Sequence, residues 1–195
     1  MAAAPMRSSG GGVLNHPLSC AAVREDEVPR LETARTLMRG WRGSDLDAYA
    51  AMCADPEVMR FLGGVADREL AWRAMALHVG HWSLRGYGTW AVERGGDGRL
   101  IGRVGLWEPE GWPGLEVGWK LAREAWRMGY AQETARAAIG WAWTVRRAPR
   151  LISLIDPRNA ASIRVAERLG MRELRTHVLR GQRVTVYGIE RPGGT

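Results

Sequence analysis

The sequence predicts one mixed α/β domain on a mainly antiparallel sheet of about seven strands, flanked by about four helices. Three observations carry that reading. Strand and helix periods follow one another in the order strand, two helices, three strands, helix, strand, helix, two strands, which is an α/β layer pattern. Two glycine-centred turns, at Gly95-Gly96-Asp97-Gly98 and at Gly181, each lie between period-two runs and signal antiparallel hairpins. One later helix places alanines at steps of four and three, a narrow face suited to lying close on a sheet.

Taken in order, residues 1–30 carry Gly, Ser, Pro and mixed charge without periodicity and are expected to form a flexible extension, leaving 31–192 as the single domain. A first strand is expected within 34–41. Ser44 and Asp45 mark a helix start, and Leu46, Tyr49, Ala50 and Cys53 follow at helical spacing until Asp55-Pro56 interrupts. Asp67 opens a second helix, with Leu70, Ala71, Ala74, Met75, His78 and Trp82 near one face. Strands at 89–94 and 99–107 form the first hairpin, and 108–114, with two prolines and two glycines, is a loop.

The stretch 115–121 alternates, with Leu115, Val117, Trp119 and Leu121 facing one way and Glu116, Gly118 and Lys120 the other. The small-faced helix is expected over 130–146, with Ala131, Ala135, Ala138, Ala142 and Val145 on its sheet side. The apolar run 151–155 reads as a strand covered on both faces. Asn159 can cap a helix that runs to Leu169 and stops at Gly170, and 172–178 with 183–190 make the last hairpin.

The 195 residues are 46% hydrophobic and 25% charged, ordinary for a globular protein, and no apolar run has the length of a membrane span. The start lacks a charged-then-apolar leader, and Cys20 and Cys53 are two isolated thiols, neither a metal set nor a disulfide framework; together these point to the cytoplasm. The net charge of +7 would welcome a polyanion, but the arginines are scattered without a dense run, which argues against nucleic acid and suits a multiply phosphorylated cofactor. A homodimer is left open.

The informative segment is 116–135. A strand ends, a short loop passes through Arg127, Met128 and Gly129, and a helix begins. The first turn of a helix has unpaired N–H groups and the positive end of the dipole, so it can hold phosphate oxygens. Gly129 would let the main chain approach such a ligand, and Arg127 would add charge. The same spacing is also that of an ordinary strand-to-helix turn.

This segment resembles the acetyl-CoA motif of the GNAT N-acetyltransferases. Residues 31–41 resemble the opening strand of the branch that contains the ribosomal-protein alanine N-acetyltransferases. Glu116-Val117-Gly118-Trp119 and Trp126-Arg127-Met128-Gly129-Tyr130-Ala131 are similar to its cofactor motif, and Asn159-Ala160-Ala161-Ser162 with Glu167-Arg168-Leu169-Gly170-Met171 to its last helix.

The resemblance implies acetyl-CoA as co-substrate, a primary amine as acceptor, and a splayed pair of parallel strands at 115–121 and 151–155. It implies a thioester beside the main chain of Trp119, Lys120 and Leu121, and a pyrophosphate cradle at 126–131 in which Trp126 stands where many relatives have Gln or Arg. It implies Glu116 as general base through a water, the other reading being a carboxylate that orders the ammonium or pairs with an arginine. Ser162 would donate a proton to sulfur, or else only bond its own helix turn. The family's frequent tyrosine four residues on is Ala166 here. Asn159 would touch the cofactor arm or merely cap. No metal is implied. The alternative function is a non-catalytic acyl-CoA-binding or RNA-binding module on the same fold.

His78 and His81 lie three apart on a helix with no third ligand in view, so a helix face or pocket wall is the plainer reading. Glu108 and Glu110 would attract a cationic amine or simply be solvated. Trp72, Trp82, Trp90, Trp107 and Trp112 would serve as core, interface or groove wall.

Overall fold

The structure, a computed structural model, describes residues 27–193. His16 and Cys20 lie outside the described residues. Strands β1 (Leu31–Glu32), β2 (Thr36–Arg39), β3 (Thr89–Arg94), β4 (Leu100–Trp107), β5 (Glu116–Leu121), β6 (Arg150–Ile155), β7 (Arg172–Leu179) and β8 (Gln182–Glu190) form one sheet in the order β1-β2-β3-β4-β5-β6-β8-β7. Every neighbouring pair is antiparallel except β5 with β6. Helices α1 (Leu46–Ala54), α2 (Pro56–Met59), α3 (Arg68–Arg85), α4 (Tyr130–Thr144) and α5 (Ala160–Arg168) complete the described residues. None of these helices is long and apolar enough to cross a membrane.

The mixed α/β class and the parallel pair stand, with corrections of detail. The sheet has eight strands, because Leu31–Glu32 pairs with β2 as a two-residue ladder too short to leave a sequence pattern. The strand expected within 34–41 is confined to Thr36–Arg39. A fifth helix appears because Asp55 does more than interrupt: its side chain accepts from the N–H groups of Glu57 and Val58, and Pro56 fits the first helical position. Val28 is 5% exposed within the main core and the Pro29 carbonyl accepts from Trp90 Nε1 at 2.7 Å, so the packed domain begins before residue 31.

Asp45 does not cap α1. Its carboxylate takes two bonds from the Arg39 guanidinium, both 2.7 Å, and Arg39 also donates to Glu93 on β3 at 3.0 Å. Burial alone would lower the pKa of Arg39, but the bonds to Asp45 and Glu93 more than offset it and the group stays firmly charged. Arg39, at 2% exposed, thus fastens β2 to β3 and to the turn before α1.

The sheet separates two cores. On one face Ala135, Ala138 and Ala142 of α4, all fully buried, lie on Val104, Leu106 and Val117. Small side chains allow that close approach. Val145 leaves the expected stripe: α4 ends at Thr144, and Val145 is 60% exposed. On the other face Tyr49, Ala50 and Cys53 of α1 and Ala71 and Met75 of α3 cluster with Trp41 and Ala91. Trp82, Trp90 and Trp141 meet edge to face, with centroids 5.0–5.9 Å apart, so these three tryptophans are core.

Candidate active site

The parallel pair opens almost as soon as it forms. Glu116 is paired with Ile152, whose N–H donates to the Leu115 carbonyl at 2.9 Å. Beyond that point side chains replace the ladder. The Leu154 N–H donates to Glu116 Oε1 at 3.3 Å, and Ser153 Oγ donates to the Val117 carbonyl at 2.5 Å. The strands part with these main-chain groups satisfied, which a bare gap would not allow.

Glu116 therefore sits at the fork. Its second oxygen accepts from Trp112 Nε1 at 2.7 Å. Burial raises its carboxyl to about 7, against the lowering effects of the Leu154 N–H, the Trp112 indole and the Arg103 charge. Trp112 in turn lies under the Arg180 guanidinium, 5.8 Å from ring to charge, so the β4–β5 loop and the β7–β8 turn meet over this carboxylate.

Gly118, next on the same face, has an ordinary φ. A Cβ built there would meet only the Glu116 carboxyl, at 3.7 Å and beyond. The glycine leaves open floor beside the carboxylate.

Trp119 points to the opposite face, where its Nε1 donates to Ser162 Oγ at 3.3 Å. Ser162 stands in the first turn of α5, and its main-chain N–H donates to Asn159 Oδ1 at 3.1 Å, so Asn159 is the helix cap. The cap leaves the hydroxyl of Ser162 free of that duty. Ala166 is fully buried in the core.

The loop after β5 is held at several points. Trp126 Nε1 donates to the Leu121 carbonyl at 2.9 Å, tying the loop to the strand end. Arg127 takes a left-handed φ of 62° and Gly129 one of 85°, turning the chain into α4. The amides of Tyr130, Ala131 and Gln132, first in α4, have no partner within the helix, and those of Arg127, Met128 and Gly129 bond to no main-chain carbonyl among the described residues.

Arg35, not foreseen, braces this loop. It donates to the Met128 carbonyl at 2.9 Å and to Glu133 Oε2 at 2.8 and 2.6 Å, and lies 4.6 Å over the Tyr130 ring. Nearly a hundred residues separate the partners, so no local pattern announces it. A Cβ at Gly129 would come within 3.3 Å of this guanidinium. Amides without main-chain partners, beside a glycine that carries no side chain, are groups that can hold an anion.

The Lys120 side chain is engaged away from Trp119, which leaves the expectation for its main chain untouched. Its side chain runs to the α1 face, where Nζ donates to Tyr49 Oη and to Cys53 Sγ, each at 3.1 Å. Only its main chain remains on the cofactor side, because residues 116, 118 and 120 share the other face.

The histidines are walls. His81 Nε2 accepts from the Glu108 N–H at 3.2 Å, which places its proton on Nδ1, 2.7 Å from the Tyr87 carbonyl. Burial lowers the pKa of both His78 and His81. No group of three His, Cys, Asp or Glu side chains suited to a metal occurs among the described residues. Glu108 accepts from Tyr87 Oη, and Glu110, almost fully exposed, pairs with Arg85 at the surface.

A mixed sheet opened between two parallel strands, with a helix N-terminus beside the opening, defines the class of acyl-transferring α/β enzymes. The chain belongs to the GNAT acetyltransferases: the model of that family's acetyltransferase domain matches residues 35–172. It is 32% identical over 166 residues to the uncharacterized protein YkkB of Bacillus subtilis, covering 81% of this chain and 94% of that one. Among solved structures, an acetyltransferase from Agrobacterium tumefaciens superposes with a TM-score of 0.74 at 29% identity, covering 84% of this chain and 95% of that one. A ribosomal-protein-S5-alanine acetyltransferase from Vibrio fischeri shares the fold, with a TM-score of 0.69 at 17% identity, over 85% and 98% of the two chains.

Proposed function

We propose that this enzyme transfers an acetyl group from acetyl-CoA to a primary amine by direct attack within a ternary complex. The fork at Glu116 carries the reading. It puts a carboxyl with a pKa of about 7 beside open floor on one face of the sheet and a hydroxyl, Ser162 Oγ, on the other, with a parted strand pair between.

Acetyl-CoA supplies the acetyl group as an activated thioester. The amides from Arg127 to Ala131 hold its pyrophosphate, with Arg35 keeping their loop in place. The main chain of Trp119, Lys120 and Leu121 lies along the pantetheine arm. Glu116 accepts the proton that the incoming ammonium must lose, through a water. The new N–C bond forms as the C–S bond breaks; Ser162 Oγ gives its proton to sulfur and is reprotonated by the proton that the nitrogen sheds on becoming an amide.

The test is thermal. A ligand that binds only the folded chain raises its melting temperature, and at a hundred times its Kd acetyl-CoA should add about 2.7 kcal/mol. Gly129→Asp should abolish the shift, because a side chain and a negative charge would then occupy the amide row. Saturating acetyl-CoA without a shift in the wild type would refute the reading.

A further inference from the structure

The α1 face of β4 and β5 carries three aligned rows. Arg103 pairs with Lys120, then Gly105 with Gly118, then Trp107 with Glu116. On one face of a strand such rows are about 7 Å apart. Two cations thus stand at one end, no side chain in the middle, and a carboxylate at the other end.

Neither cation is neutralised by a carboxylate bond. Lys120 Nζ is engaged by a phenol and a thiol, and lies 4.2 Å over the Tyr49 ring. Arg103 has a buried Nε without a hydrogen-bond partner, and no hydrogen bond or ion pair engages its guanidinium among the described residues. Only Nε is buried and the residue as a whole is half-buried, so the guanidinium keeps donors that a ligand can meet. By its register Arg103 shares this face of the sheet with Gly118 and Glu116, and its charge lowers the pKa of both Glu116 and His78. Arg103, Gly118 and Glu116 are all partly open to solvent.

Resting on the acetyl-transfer reading, we propose that the acceptor is an amine carrying an anionic group, a carboxylate or a phosphate, which Arg103 receives with Lys120 behind it while the amine lies over Gly118 against Glu116. Polyamines and aminoglycosides are then poor acceptors, because the cationic end of this face repels them.

The experiment measures coenzyme A release with matched amines: β-alanine against β-alaninamide, phosphoethanolamine against ethanolamine, and spermidine. The wild type should favour the anionic member of at least one pair by tenfold or more in kcat/KM, and which pair does so separates carboxylate from phosphate. Arg103→Gln should bring that ratio close to one and leave the acetyl-CoA melting shift intact, whereas Arg103→Lys should keep part of the preference. Calorimetric titration of the same amines into the full chain gives a second readout that needs no turnover. Equal use of both members, preference for spermidine, or a preference untouched in Arg103→Gln would overturn the proposal, as would turnover and binding of none of them by a chain that still binds acetyl-CoA. Loss of the acetyl-CoA shift itself would instead refute the transfer reading.

Discussion

Glu116→Gln separates the proton-accepting role of this carboxyl from its role at the fork. A carboxyl that titrates near 7 in the folded chain and at its ordinary 4.5 when unfolded weakens the fold once ionised. The penalty is absent well below the unfolded value, grows as pH rises, and is complete above about 7. With 1.36 kcal/mol per pH decade it comes to about 1 kcal/mol at pH 5 and about 3 kcal/mol at pH 8. Glutamine avoids the charge but turns an NH2 toward one of two donors, the Leu154 N–H or the Trp112 indole, at a cost of about 1 kcal/mol. The net expectation is no change at pH 5 and a gain of about 2 kcal/mol at pH 8, or roughly 4–8 °C in melting temperature for a chain of this size. Turnover should fall by about a hundredfold or more, since a positioned base is worth that much. Melting curves of both proteins at the two pH values, with coenzyme A release beside them, check both halves. A stability difference that does not grow with pH would refute the buried, ionisable carboxyl, and undiminished turnover would refute the base.

The wild-type kcat/KM should rise with pH and level off above about 7, because only ionised Glu116 can take the proton. Gly118→Ala should leave stability unchanged or raise it by about 0.5–1 kcal/mol, as strand glycines are entropically poor, while a methyl on the open floor lowers kcat/KM at least tenfold; full activity would show that the floor is not used. Ser162→Ala should lower kcat with little effect on KM; the helix cap is kept because it uses the main-chain N–H, but the Trp119 indole loses its acceptor at a cost of about 1 kcal/mol, and unchanged kcat would remove Ser162 from the reaction. Arg35→Ala should raise the KM for acetyl-CoA and leave kcat alone, with a stability loss under about 1 kcal/mol because the ion pair is half exposed.

Local rules were legible and long-range ones were not. The Gly95 to Gly98 turn, the parity of β5, the alanine face of α4 and the Asn159 and Asp67 caps all obey short-range geometry, and the structure keeps each of them. Ser44 and Asp45 do stand at the start of α1, but the partner of the Asp45 carboxylate, Arg39 in a buried triad with Glu93 from another strand, was not legible. Arg35 and Arg103 left no signal at all. Each is one arginine among many, and what sets it apart, a distant loop for one and the absence of a partner for the other, exists only after folding. Lys120 shows the same limit from the other side: its position in the motif was visible, but the α1 thiol and phenol that take its side chain were not.

Strand alternation explains how one short segment can serve two sides of a reaction. Glu116, Gly118 and Lys120 face α1, while Val117, Trp119 and Leu121 face α4 and α5, so the sheet divides the amine side from the thiol side and only the fork joins them. Opening the fork would strand main-chain groups at about 1–3 kcal/mol each if nothing replaced the ladder. Glu116 and Ser153 replace it with their side chains. The same carboxylate stands where the strands part, and its raised pKa follows from burial in that gap. The opening and the raised pKa are thus consequences of the same residue, which is why Glu116 is the carboxyl proposed as base.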